Sequence, residues 1–141
     1  MGWSLGHDSR WGKHGRDIGY GVVAYCDHPG CNKVIDRGLA HVCCNMEPYG
    51  GECGCGLYFC SDHASPGNHM CERCVAFQEA AEAWEALPAD TTAPYPRFEP
   101  FPPKPDHPRW VHHKLTDPSW MEWREAHPDE VAEMKKARCR L

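Results

Sequence analysis

Apolar positions along the chain fall into short, dissimilar stretches instead of one sustained repeat. Gly21-Val-Val-Ala-Tyr25 is a compact apolar run of strand length, and Leu57-Tyr-Phe59 is a second, shorter one. After Cys74 the pattern changes: Val75, Phe77, Ala81, Trp84 and Leu87 recur at helical spacing, with Glu79, Glu82 and Glu85 on the other side. This predicts a helix rich in alanine that ends at Pro88. Near the end, Asp117 can cap a helix opened by Pro118 and carrying Trp120 and Trp123. Pro128 breaks that helix or opens the next, where Val131, Met134 and Leu141 fall near one face.

Proline separates these stretches. Nine prolines occupy the thirty-one residues from Pro88 to Pro118, and each one lacks an amide donor and fixes its own φ. Most of that span is expected to be a stiff extended connector or a strap over the surface. Residues 1–21 are glycine-rich and carry Arg10, Lys13 and Arg16 among His7 and His14, which reads as a flexible basic arm. The expected layout is the arm at 1–21, a zinc-binding domain at 22–87, a proline-rich linker or strap at 88–117 and a helical segment at 118–141. The predicted fold class is a small α+β zinc-stabilised domain with cross-brace or treble-clef-like sites and short hairpins. A helix follows the last knuckle, and the proline-rich tail ends in a C-terminal helix.

Composition explains why a metal would be needed. Of 141 residues only 41% are apolar, and thirteen glycines and thirteen prolines dilute them, so a large continuous core is not expected. No apolar run reaches the roughly 18 residues of a membrane span, and the start has no signal-peptide apolar region. An intracellular, cytoplasmic setting is therefore expected, where closely spaced cysteines read as metal ligands before disulfides. A formal charge of −5 disfavours broad nucleic-acid binding, although Lys135, Lys136, Arg138 and Arg140 give the end a local basic bias. At a helix C-terminus those cations also complement the helix dipole.

Nine of the ten cysteines lie between Cys26 and Cys74, and Cys139 stands alone. Zinc takes four sulfur or nitrogen donors in a closed structural site, and the chain supplies enough for two zinc ions. Cys26, Cys31, Cys60 and His63 form the first expected set, the early pair joined by a loop with Pro29 and Gly30 that lets the chain reverse. The second set has more donors than places. Cys53, Cys55, His69 and Cys71 are one solution; Cys43, Cys55, Cys71 and Cys74 are another, because Cys71-x-x-Cys74 has knuckle spacing at a helix start. His41 is a further substitute. Cys43 and Cys44 are adjacent, so one is expected to face metal and the other the core. A disulfide scaffold and an iron–sulfur site are weaker alternatives, since histidines interleave with the cysteines at finger-like intervals.

Cys55-Gly-Leu-Tyr-Phe-Cys60-Ser-Asp-His63 followed by His69-Met-Cys71 resembles the second half of an AN1-type zinc finger, a family with two interleaved zinc sites. The early pair departs from the family pattern, having four intervening residues, and twenty-one residues separate Cys31 from Cys53. The layout also resembles small cysteine-rich zinc proteins of bacteria and their phages. The AN1 resemblance implies a fold, ligand roles and a protein partner. The leading functional expectation is a zinc-stabilised protein-interaction or adaptor module, with its tryptophans as anchors or as pins for the tail. A nucleic-acid-binding zinc finger is the alternative. A zinc enzyme would need an open coordination position and a positioned acid or base, for which Glu52 and Asp62 are the nominal candidates.

Overall fold

The structure is a computed structural model and describes residues 5–44, 54–67 and 69–138. A three-stranded antiparallel sheet in the order β1-β2-β3 is built from β1 (Gly6–Asp8), β2 (Arg16–Tyr25) and β3 (Val34–Arg37). Four helices follow: α1 (Glu72–Glu85), α2 (Pro108–Thr116), α3 (Met121–Ala126) and α4 (Pro128–Arg138). No helix among the described residues is long and apolar enough to cross a membrane.

The apolar run Gly21–Tyr25 is the second half of β2, and the strand starts earlier than its apolar character. Gly6, His7 and Asp8 pair with Ile18, Asp17 and Arg16, so the expected flexible arm supplies a hairpin of the sheet. Charge hid this from the sequence reading. Arg16 and Asp17 are both 5% exposed, and each is buried because it is paired. Arg16 makes a two-point bond to Asp27 at 3.0 and 2.6 Å. Between Gly19 and Val23 the register with β3 slips, and Gly21 has φ +85°, a bulge that a side-chain-bearing residue would strain.

Leu57, Tyr58 and Phe59 are each at most 1% exposed. They form an extended segment bridged antiparallel to Val42, with Cys43 N–H donating to Leu57 O and Phe59 N–H to His41 O. Two small cores lie on either side. One gathers the buried cysteines with Leu57, Phe59, Met70 and Phe101; the other holds Ile18, Val42 and Tyr58.

The proline-rich span is a strap seated on the domain. Tyr95 and Phe98 set their rings edge-on to Phe77 of α1, Tyr95 also meets Trp84, and the Trp84 indole N–H donates to Ala93 O at 2.8 Å. The strap is not extended throughout, contrary to the expectation for 88–117: Pro108 opens α2. His107 accepts from Arg109 N–H as its cap, and 109–116 contains no proline, so the helix runs unhindered. Both later helix starts fall where the sequence put them. Asp117 accepts from Ser119 N–H ahead of a 3-10 turn at Pro118–Trp120 that leads into α3, and Pro128 opens α4.

α2 is anchored to the sheet by a buried charge. Lys114 reaches Asp17 at 2.8 Å and the Trp110 indole donates to the same carboxylate at 2.9 Å. Burial alone would raise the Asp17 pKa; Lys114, Trp110 and His7 outweigh it and hold the carboxyl below its ordinary range. The Lys114 ammonium also lies 5.0 Å from the Trp120 ring and 4.0 Å from Trp123, with Trp110, Trp120 and Trp123 edge to face in series. These tryptophans pin the C-terminal helices to one another.

Candidate metal centres

Two groups of donor side chains converge, and each is able to hold a metal ion. Cys26, Cys31, Cys60 and His63 form one, Cys43, Cys55, Cys71 and Cys74 the other, with the donor atoms of each group within 4.8 Å of one another. Sulfurs about 2.3 Å from a central tetrahedral ion would stand about 3.8 Å apart. Cys31 and Cys60 sulfurs are 3.9 Å apart, and Cys55 and Cys71 sulfurs 3.8 Å. His63 Nδ1 lies 3.7 Å from Cys26 Sγ and 3.3 Å from Cys60 Sγ. The donor sets therefore fit tetrahedral coordination in both chemistry and spacing.

Both groups are built by the same local device. In the first, Cys60 precedes the 3-10 turn Ser61–His63 with φ −72° and ψ 168°, placing His63 one turn on. In the second, Cys71 precedes α1 with φ −73° and ψ 166°, placing Cys74 one turn on. A donor just before a helical turn and another three residues later project to one side, and the turn's free amides favour a thiolate. Each such pair also reaches back. Cys60 N–H donates to Cys26 Sγ at 3.3 Å, and Cys71 N–H to Cys43 Sγ at 3.2 Å.

The donors alternate along the chain: the pair 26 and 31 belongs to the first group, 43 and 55 to the second, 60 and 63 to the first, 71 and 74 to the second. The two groups therefore interleave along the chain. His69, a member of one expected second set, is outside the cluster. It is exposed, with φ +56°, and its backbone is committed: its N–H donates to Ser65 O and its carbonyl accepts from Cys44 N–H. Cys74 takes the place because it lies one helical turn from Cys71 on the buried side. Cys53, of the same expected set, lies outside the described residues, as do Glu52 and Cys139. His41 is also outside both groups, its Nδ1 3.1 Å from Asp36.

Cys43 and Cys44 divide as their adjacency requires. Cys43 turns into the cluster, whereas Cys44, with φ +77°, faces the core and is disulfide-bonded, a pairing that the reading of closely spaced cysteines as ligands did not anticipate. Gly54 makes room for this turn: a Cβ there would lie 2.1 Å from the Cys43 carbonyl oxygen. The sequence reading missed that glycine, although a one-residue spacer just before a donor is a visible signal.

Electrostatics also constrain loading. Burial pushes the Cys26 thiol up to about 12. In the second group the neighbouring thiols and burial hold Cys55 well above the ordinary thiol range; Cys43, accepting from Cys55, Cys71 and Cys74, sits well below it. An arriving cation must expel protons, so retention weakens as pH falls. Asp62, beside the first group, is paired with Lys33 at 2.8 Å.

Residues absent from the sequence reading complete the surroundings of the first group. His28, hydrogen-bonded to Pro29 O at 2.9 Å and to Glu72 at 3.3 Å, also stacks on His63 with ring centroids 4.0 Å apart and an angle of 11°. Asp27, 1% exposed, binds Arg16, accepts from Tyr58 N–H at 2.9 Å and accepts from Lys104 N–H at 2.9 Å. Comparison with known protein families, with curated proteins and with solved structures finds no match, so the AN1 resemblance stands on these residues alone.

Proposed function

We propose that the chain is a zinc protein whose two centres are structural and whose outer surfaces bind a protein partner. The observation that carries this reading is the closure of both donor sets. Each has four side-chain donors at tetrahedral spacing, which favours a structural ion over a catalytic one with an open position. Zinc is favoured as the metal by the thiolate-rich, histidine-containing donors. Interleaving of this kind supports a cross-brace, AN1-like arrangement, with Cys43 and Cys74 in the second site.

A protein partner is favoured over nucleic acid by where most of the cations ahead of α4 are spent. Arg10, Lys13, Arg16, Lys33, Arg37 and Lys114 each bond a carboxylate, while Arg73, Lys104 and Arg124 donate to backbone carbonyls. Beside α1 a cleft of about 530 Å³ has Met70, Phe77, Ala81 and Phe98 in its lining and Glu82 and Glu85 among its carboxylates. That combination suits an apolar side chain flanked by Lys or Arg.

Native mass spectrometry with metal analysis tests the centre of the proposal: two zinc ions are expected, with loss of fold on chelation. A metal-free, folded protein would sink it. For the surface, crosslinking in the native host is expected to capture a protein through α1, and Glu82→Lys with Glu85→Lys should abolish the capture. Steeply salt-dependent binding to DNA or RNA would favour the nucleic-acid reading instead.

A further inference from the structure

Lys104 belongs to the strap, far along the chain from the first donor group, yet its ammonium donates to the carbonyl oxygens of Cys26 at 3.0 Å and Cys31 at 2.6 Å. Those two residues open and close the loop that carries the first pair of donors. One ammonium therefore holds both ends of the loop. The Lys104 N–H donates to Asp27 inside the same loop, at 2.9 Å.

A second contact bears on the loop's middle. Phe101, 5% exposed, packs edge-on against His28 at 5.1 Å and Phe59 at 6.1 Å, and His28 in turn stacks on the donor His63. The strap thus touches one donor group at the backbone of two of its cysteines and, through His28, at its histidine.

We infer that Lys104 is a positioning residue for the first metal: by clamping the Cys26 and Cys31 carbonyls it fixes the spacing of their sulfurs and couples metal retention at that centre to docking of the strap. This rests on the reading above that the group holds a metal. The coupling is reciprocal by linkage: if a docked strap tightens the metal, the metal tightens the strap. Plain charge stabilisation is a competing explanation, because thiolates favour any nearby cation. Lys33 separates the two. It is also a cation near Cys31 and Cys60, but its ammonium bonds Asp62 at 2.8 Å.

The test uses the full-length protein loaded with cobalt(II), whose visible spectrum distinguishes a three-sulfur, one-nitrogen centre from a four-sulfur one. Release to EDTA is timed for the native chain, Lys104→Met and Lys33→Met. Lys104→Met should speed release from the first centre by roughly 5- to 150-fold, the range of ordinary coupling energies, and leave the second unchanged. Lys33→Met should match the native chain. Equal acceleration at both centres would make Lys104 a general stabiliser and overturn the inference, as would an equal effect of Lys33→Met or no effect of Lys104→Met.

Hydrogen exchange on the native chain supplies a readout independent of how the variant folds. Amides of residues 98–106 should be protected when both centres are loaded and lose protection when only the first is emptied. Unchanged protection overturns the coupling. A native chain that takes up no metal overturns the zinc reading itself, a result distinct from every outcome above.

Discussion

In the first donor group Cys31 and His63 remain half-buried, and the loop between its first two cysteines is held from outside by the strap; in the second, four cysteines are all buried among core side chains. The two share a construction, a donor before a helical turn, a donor one turn on and an amide returned to the earlier cysteine. They differ in what surrounds them. The second lies wholly in the interior, whereas the first is also touched by a residue 78 positions downstream, so the proposed coupling predicts centres of unequal permanence from similar local geometry.

Stepwise chelation probes that inequality most severely. Structural zinc in small domains contributes about 10–16 kcal/mol at neutral pH, comparable to or above the whole stability of a typical domain at about 5–15 kcal/mol. Removing both ions should therefore abolish the fold, seen by circular dichroism, and a one-metal species holding the second centre should precede it in native mass spectra. Acidification should follow the same order as protons return to the thiolates. Simultaneous loss of both ions would erase the distinction.

A lesion remote from both centres sharpens it. Asp17→Asn leaves Lys114 buried without its counter-charge and should cost about 3–5 kcal/mol in urea unfolding. If the strap alone seats the first centre, cobalt release stays at the native rate while α2 amides lose protection. Accelerated release would mean that the whole C-terminal half does the seating.

Gly54→Ala reaches the second centre selectively, since its Cβ meets the Cys43 carbonyl. Overpacking of this kind costs about 1–3 kcal/mol, and the cobalt spectrum should change at the four-sulfur centre only. A change at the first centre would show the two to be mechanically joined. The smallest effect is expected from Asp117→Ala, which removes the acceptor of the Ser119 N–H and should lower the thermal midpoint slightly while leaving metal retention at both centres untouched, read by thermal unfolding and EDTA release.

The parts of this molecule legible in the sequence are those governed by local chemistry. Pro118 and Pro128 announce helix starts, the run Val75 to Leu87 announces α1, and spacing groups Cys26, Cys31, Cys60 and His63. What escaped depends on distant partners. Arg16 looks like a solvent-loving arm residue until Asp27 and Tyr58 surround it, and no local signal tells Lys104 that its carbonyls lie at Cys26 and Cys31. The His-x-Cys motif draws His69 into one expected donor set. Cys74, at a helix start, is the residue whose geometry brings it to the cluster.

The alternation of donor pairs also governs how the protein can be made and divided. A chain emerging residue by residue exposes Cys26, Cys31, Cys43 and Cys55 before either centre has its second pair, so four sulfurs drawn from two different centres are available to a passing ion first. Only when Cys60 and His63 appear can that ion be claimed by its proper set, and the last centre waits for Cys74. A cut between Cys43 and His63 leaves both sets incomplete, whereas one before Cys43 or after His63 splits a single set and spares the other. The stretch from Cys43 to His63, shared by both spans, is thus the one that synthesis, proteolysis or recombination cannot interrupt without breaking both sets at once.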